Sequence, residues 1–360
     1  MRRLIRLVMA TISLTALNVA ASTAMPVWHR PGGVVSPGRL IDVFGSVAFV
    51  SDGSHSFFVS VADMTDAEVR TVAQFQIDHA TRPTWKSSTA RVTSAIRRSL
   101  HRPNNGTLVP YNTDTEIEPQ VYLIYFSAGW CPPCHVFTPE LVKAYAELRQ
   151  ALGNRVEVIF VSRDRNRHEE DAYVREMKMA WPAIDFDLSD RISVISSYEG
   201  PGIPCLVAVT PDGSIMFNSF RGDYYDGADS VLTSFQSVAA EMDERGPAAR
   251  RKRFRIEIAK REIQHAHDRC DPAPYLVGVE QRRYQTIDRT DVPIRITIDA
   301  HGSVTDTQIE APLEAVLARQ LERDCGDWLF LPAVREGRSE GATFEMHVQF
   351  HPPATTTAAP

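Results

Sequence analysis

Residues 121–139 read VYLIYFSAGWCPPCHVFTP, and no other stretch restricts the fold of this chain as much. Val121–Ser127 is a run of β-branched and aromatic residues, the composition of a buried strand. It delivers the chain to a turn, after which Cys131, Pro132, Pro133 and Cys134 open a helix. The first turn of a helix presents unpaired backbone N–H groups and the positive end of the helix dipole, so an anion is stabilised there. A thiolate at Cys131 is therefore expected to be easily formed and nucleophilic at neutral pH. Pro132 suits the first helical position, because its fixed φ is helical and its missing N–H would have had no partner. Cys134 follows one turn on, within reach of a disulfide with Cys131. Pro133 removes one more donor near the thiolate and so tilts the pair toward a reductant.

The run from Tyr125 to Cys134, continued by Phe137, Thr138, Pro139 and Leu141, resembles the tryparedoxin and nucleoredoxin branch of the thioredoxin superfamily over residues 117–243. Trp181, Ala183 and Phe186 match a segment of that branch, and Gly202, Ile203 and Pro204 stand where the superfamily carries its cis-proline. The resemblance implies an α/β thioredoxin-like fold, a central mixed sheet flanked by helices. It implies Cys131 and Cys134 as the catalytic pair, with Trp130, Pro132, Pro133, Trp181, Ile203 and Pro204 shaping the substrate site. No cofactor is implied beyond the redox-active Cys131–Cys134 disulfide. Three positions depart from the pattern of the superfamily. His135 stands where arginine is usual, and Cys205 follows the expected cis-proline where threonine is usual. Tyr125 takes the place of the buried aspartate of ordinary thioredoxins, which is normal for this branch but leaves the proton acceptor of Cys134 unidentified. His135 and Cys205 are candidate modulators. His135 either lowers a thiolate pKa by its charge or points to solvent; Cys205 is either a third redox thiol or an inert buried one.

At 360 residues with 43% hydrophobic and 23% charged residues, the chain has room for two or three cores. Its net charge of −6 gives no reason to expect nucleic acid. Residues 1–24 stand apart: Arg2, Arg3 and Arg6 precede a mostly apolar stretch, and Ser22, Thr23 and Ala24 offer small residues for cleavage. This reads as a secretory signal, with the mature protein in the periplasm of a bacterial envelope. The alternative is an uncleaved inner-membrane anchor facing the periplasm. Disulfides persist in such a compartment. Of the five cysteines, Cys131 and Cys134 form the active pair, Cys270 and Cys325 are candidates for a structural bridge, and Cys205 is left over.

Residues 25–116 read as a small β-rich module and linker. Strands are expected over 40–50 and 56–61, a helix starting with Thr65 as N-cap and Glu68 three residues on, and a short basic helix over 91–102. Within 117–243, helix and strand alternate as in a parallel βαβ unit, and a hairpin at Pro211, Asp212 and Gly213 with a helix over 228–242 closes the domain. Trp181 precedes a proline and is expected in a loop with one ring face showing; the competing reading makes it a plug at the core edge. Residues 244–273 form a charged, helical connector whose basic run 250–255 either meets an anionic surface or is simply solvated.

Residues 274–351 predict two antiparallel strands, a helix, and a final strand, with Trp328, Phe330, Pro332 and Ala333 after the helix. This ββαβ pattern resembles the C-terminal domain of the energy transducer TonB. An α+β unit that docks an envelope partner by edge-strand pairing is the expectation. Residues 352–360 read as a disordered tail.

A zinc site at Cys131 and Cys134 would need two further thiolate or imidazole ligands, and no second Cys-x-x-Cys exists. The expected activity is thus thiol–disulfide exchange on protein substrates, with an upstream electron donor or acceptor. The competing expectation is an envelope adaptor whose thioredoxin-like domain is a binding scaffold.

Overall fold

The computed structural model describes residues 25–243, 247–266, 273–278 and 291–349. The expected signal segment, Cys270 and the expected tail lie outside the described residues. Among the described residues, no helix is long and apolar enough to cross a membrane.

Val121–Ser127 is a strand buried at every position. Successive side chains of a strand point to opposite faces, and here both faces are covered: Val121, Leu123 and Tyr125 enter one core, Tyr122, Ile124 and Phe126 another. The strand is the third of a seven-stranded mixed sheet. Val156–Ser162 runs parallel to it on one side, and Cys205–Val209 antiparallel on the other, with Ile215–Asn218 at the edge. The helices Pro132–Leu152 and Ala228–Met242 bury their apolar stripes against the first face. Arg91–Ile96 and Ser193–Ser196 cover the second.

The sheet begins earlier in the chain than expected. The basic helix foreseen over 91–102 stops at Ile96, and Leu100–Asn104 is a strand paired with Ala183–Ile184 and, through a tight hairpin, with Thr107–Pro110. The turn is Asn105–Gly106, both at positive φ, the combination that matches the twist of a two-residue hairpin. Burial of Leu100 on the second face outweighs the helical tendency of the preceding arginines.

The stretch 40–50 is likewise a hairpin, Arg39–Phe44 and Val47–Ser51, extended by Ser56–Ser60 into a three-stranded sheet. Gly45 turns it at φ +59°, where a Cβ would overlap the Glu241 carbonyl at the end of the closing helix. The helix Asp66–Asp78 carries the expected capping box: Thr65 Oγ1 accepts from Glu68 N–H at 3.3 Å, and Glu68 accepts from Thr65 N–H at 2.6 Å. This small sheet lies between two partners. Phe44 and Phe49 join the core of the dithiol domain, with Phe58 stacked on Phe217 at 5.6 Å. Val43, Ala48, Val50 and Val59 pack with Val69, Val72 and Ala73 on the other side.

The charged connector is not a solvated linker. Its helix, Pro247–Gln264, buries Ile256 and Ala259 in the N-terminal core. Part of the basic run is structural: Lys252 pairs with Glu241 at 2.5 Å, and Arg255 donates to the carbonyls of Val61 and Met64 and to Asp66. Beyond it, Asp291–Ile298 pairs with Val304–Ile309 and Ala342–Gln349, and the helix Ala315–Gly326 packs on this three-stranded sheet.

Candidate functional site

Cys131 is the N-cap of the helix Pro132–Leu152, with Pro132 at its start, and its Sγ accepts from Cys134 N–H at 3.3 Å. Sequence had put the thiolate at this helix end, and the cap geometry explains how it is held: one backbone donor and the dipole both point at Sγ. Cys131 and Cys134 are joined as a disulfide, with their Cα atoms 5.3 Å apart. Cys134 is fully buried and Cys131 only 3% exposed. Pro132 and Pro133 are exposed at the rim. Trp130 leaves its ring 51% exposed while its indole N–H donates to the Arg163 carbonyl at 2.9 Å.

The opposite wall comes from a separate loop. The Ile203–Pro204 peptide is cis, as expected, and the Ile203 carbonyl lies 3.7 Å from Cys131 Sγ. His135 reaches back instead of facing the sulfur atoms: Nε2 is 2.6 Å from the Gly129 carbonyl, which makes Nε2 the protonated nitrogen, and Nδ1 lies 3.9 Å from Glu176. The imidazole thus ties the turn before Cys131 to the helix after it.

Beneath the dithiol is a hydroxyl cluster that sequence did not reveal. Thr138 Oγ1 donates to the Cys134 carbonyl at 2.8 Å. With its one hydrogen so used, it accepts from Tyr125 OH at 2.7 Å and from Tyr173 OH at 2.6 Å. Tyr173, having donated, accepts from Ser127 at 2.9 Å. Burial pushes both tyrosines above their ordinary range, so the cluster holds the strand and helix together without supplying a base. Nearby, Asp164 accepts from Gly129 N–H at 2.8 Å and from Ser162 at 2.9 Å. Burial raises its pKa, and the two hydrogen bonds oppose that rise.

Three expected site residues are elsewhere. Trp181 is 1% exposed and packs edge-on against Tyr145 at 5.4 Å, so the core-plug reading replaces the half-exposed loop. Its ring is drawn inward because the sheet bridge at Ala183 pulls the preceding residues under the dithiol helix. Cys205 lies in the core of the second face, opposite the dithiol, and burial pushes its thiol up to about 11. Cys325 is buried, and burial pushes its thiol up to about 12; Cys270, its foreseen partner, lies outside the described residues.

A consequence is selective labelling. Reduced protein treated with iodoacetamide at pH 7.5 is expected to carry the label on Cys131 and none on Cys205 until it is denatured, as read by peptide mass spectrometry. Rapid modification of Cys205 in the folded protein would contradict the inert reading.

Residues 119–215, which carry the strand, dithiol helix and cis-proline, match the family model described as thioredoxin-like. The chain carries a thioredoxin-like domain. Within that domain a buried, helix-capping disulfide faces a cis-proline loop. Among similar proteins, "Probable nucleoredoxin 1" of Arabidopsis thaliana is 37% identical over 99 residues, covering 28% of this chain and 17% of its own length. "Probable nucleoredoxin 2" of Oryza sativa subsp. japonica is 29% identical over 242 residues, covering 63% of this chain and 60% of its own. The crystal structure of thioredoxin from Wuchereria bancrofti is 31% identical, covers 38% of this chain and 93% of that one, and superposes with a TM-score of 0.30. The chain thus spans less than two thirds of the length of these curated relatives.

Proposed function

We propose that the chain is a thiol–disulfide oxidoreductase of the bacterial periplasm that acts on protein disulfides, chiefly in the reducing direction. The observation that carries this reading is the position of Cys131 Sγ, capping a helix and 3.7 Å from the Ile203 carbonyl on the cis-proline loop. In the reduced protein the Cys131 thiolate attacks one sulfur of a substrate disulfide. That S–S bond breaks, the second substrate sulfur leaves as a thiolate, and a mixed disulfide remains. Cys134, deprotonated, then attacks Cys131 Sγ, releasing the other substrate thiolate and closing Cys131–Cys134. The substrate gains two electrons and the protein loses two, which a dithiol donor must restore. Run backwards, the same steps oxidise a substrate dithiol. The segment 1–24 supports export, and Pro133 beside the thiolate supports the reducing direction.

Trapping tests the order of attack. Cys134→Ser leaves the first attack intact and removes the second, so mixed disulfides with envelope proteins are expected to accumulate. They should dissolve in dithiothreitol and vanish in the double variant Cys131→Ser/Cys134→Ser. Equal adduct formation by the double variant would refute the assigned roles.

The C-terminal unit, which resembles the TonB C-terminal domain, is proposed to hold an envelope partner. Supporting this, Ala342–Gln349 is an edge strand of its sheet among the described residues, and an unpaired edge accepts an added strand.

A further inference from the structure

The two walls of the dithiol cleft come from separate segments, yet one residue reaches both. Arg163 lies in the loop after the strand Val156–Ser162. Its carbonyl accepts the Trp130 indole N–H, and its own N–H donates to the Ser127 carbonyl at 2.8 Å, so its backbone is fixed to the dithiol wall. Its guanidinium points the other way and grips Glu199 with two bonds, Nε at 2.5 Å and Nη2 at 2.7 Å. Glu199 opens the loop Gly200, Pro201, Gly202 that ends in the cis-proline. The guanidinium also stacks over Phe126 at 5.3 Å and is 17% exposed, against 33% for the Glu199 side chain, so solvent screening acts on the pair mainly from the carboxylate side.

From the far side the same loop is backed by a short ribbon, Phe220–Arg221 with Tyr224–Tyr225. The Phe220 ring fills the space where a Cβ at Gly200 would sit, and Tyr225 donates its hydroxyl to the Pro204 carbonyl at 3.0 Å. The cis-proline loop is therefore held between a clamp and a backing plate, with Cys131 in front of it.

We propose that Arg163 and Glu199 are positioning residues that set the width of the cleft between Cys131 and Ile203, and thereby the preference for a polypeptide disulfide over a small one. This rests on the oxidoreductase reading above. An extended chain must fit between both walls, whereas a small disulfide needs only access to one sulfur atom, so loosening the clamp acts on the first far more than on the second.

The experiment compares insulin with 5,5′-dithiobis(2-nitrobenzoate) as substrates for the full chain, its Glu199→Gln and Arg163→Lys variants, and Tyr225→Phe, which removes a single hydroxyl. The ratio of kcat/KM for insulin to kcat/KM for the small disulfide is expected to fall on the order of tenfold in the clamp variants, mainly through KM. A smaller fall in the same direction is expected for Tyr225→Phe. A general loss of folded protein would lower both substrates together and leave the ratio unchanged, and that outcome overturns the proposal. So does a wild-type ratio in all three variants. A wild-type protein inactive on both disulfides would instead overturn the oxidoreductase reading, taking this inference with it.

Discussion

Cys131→Ser is expected to abolish dithiothreitol-driven reduction of insulin, lowering the rate by at least about a thousandfold. A hydroxyl capping a helix is not ionised at neutral pH, so the donor at Cys134 N–H and the helix dipole have no anion to stabilise. Cys134 is not able to take over, because it is fully buried one turn down the helix with its carbonyl held by Thr138. Loss of turnover with an unchanged melting temperature would confirm the assigned nucleophile. Insulin reduction at the wild-type rate would show that some other group carries the chemistry.

The second large effect is on stability and comes from outside the cleft. Glu170 is completely buried in the helix Arg167–Glu176, and neither of its carboxylate oxygens has a hydrogen-bond partner. Burial, with Asp171, Asp164 and Asp185 adding to it and Arg167 opposing, pushes its pKa up to about 8 from the ordinary 4.5. The folded state therefore holds the proton more tightly than the unfolded one. The stability this provides is complete below pH 4.5 and is lost as the pH rises through that value toward 8. Glu170→Gln has no proton to lose. It is expected to raise the unfolding free energy by about 2–4 kcal/mol at pH 8.5 relative to wild type, with the difference closing toward zero near pH 4.5. Urea titrations of both proteins at the two pH values measure it; equal midpoints at pH 8.5 would show that Glu170 is solvated or paired in solution.

What the sequence disclosed is what short-range chemistry determines. The strand Val121–Ser127, the capping Cys131, the Thr65–Glu68 box and the Ile203–Pro204 turn each rest on residues a few positions apart, and each is present. The hidden parts depend on distant partners. Nothing near Arg163 in sequence announces Glu199, and nothing near Thr138 announces Tyr173; the sheet brings them together. Trp181 misled because a tryptophan before a proline has the same local signature whether its ring faces water or a core. Asn105–Gly106 was a readable hairpin signal, overshadowed by the arginines before it. For Cys205 the place beside the proline left a redox thiol and an inert one both open, and alternation along a strand, which turns it to the far face, favours the inert one.

The N-terminal sheet and the helix Pro247–Gln264 complete one core although the whole dithiol domain intervenes between them. This sets an order of events as the chain emerges. The dithiol domain can close its sheet and cover it with Ala228–Met242 while Val69, Val72 and Ala73 still lack Ile256 and Ala259. Closing so long a loop is slow relative to local helix and hairpin formation. The core beside the redox centre is therefore completed only by residues that follow the dithiol domain in the chain. A chain cut after residue 243 would keep the dithiol yet leave a permanently sticky flank, a liability to be handled by chaperones rather than by further folding.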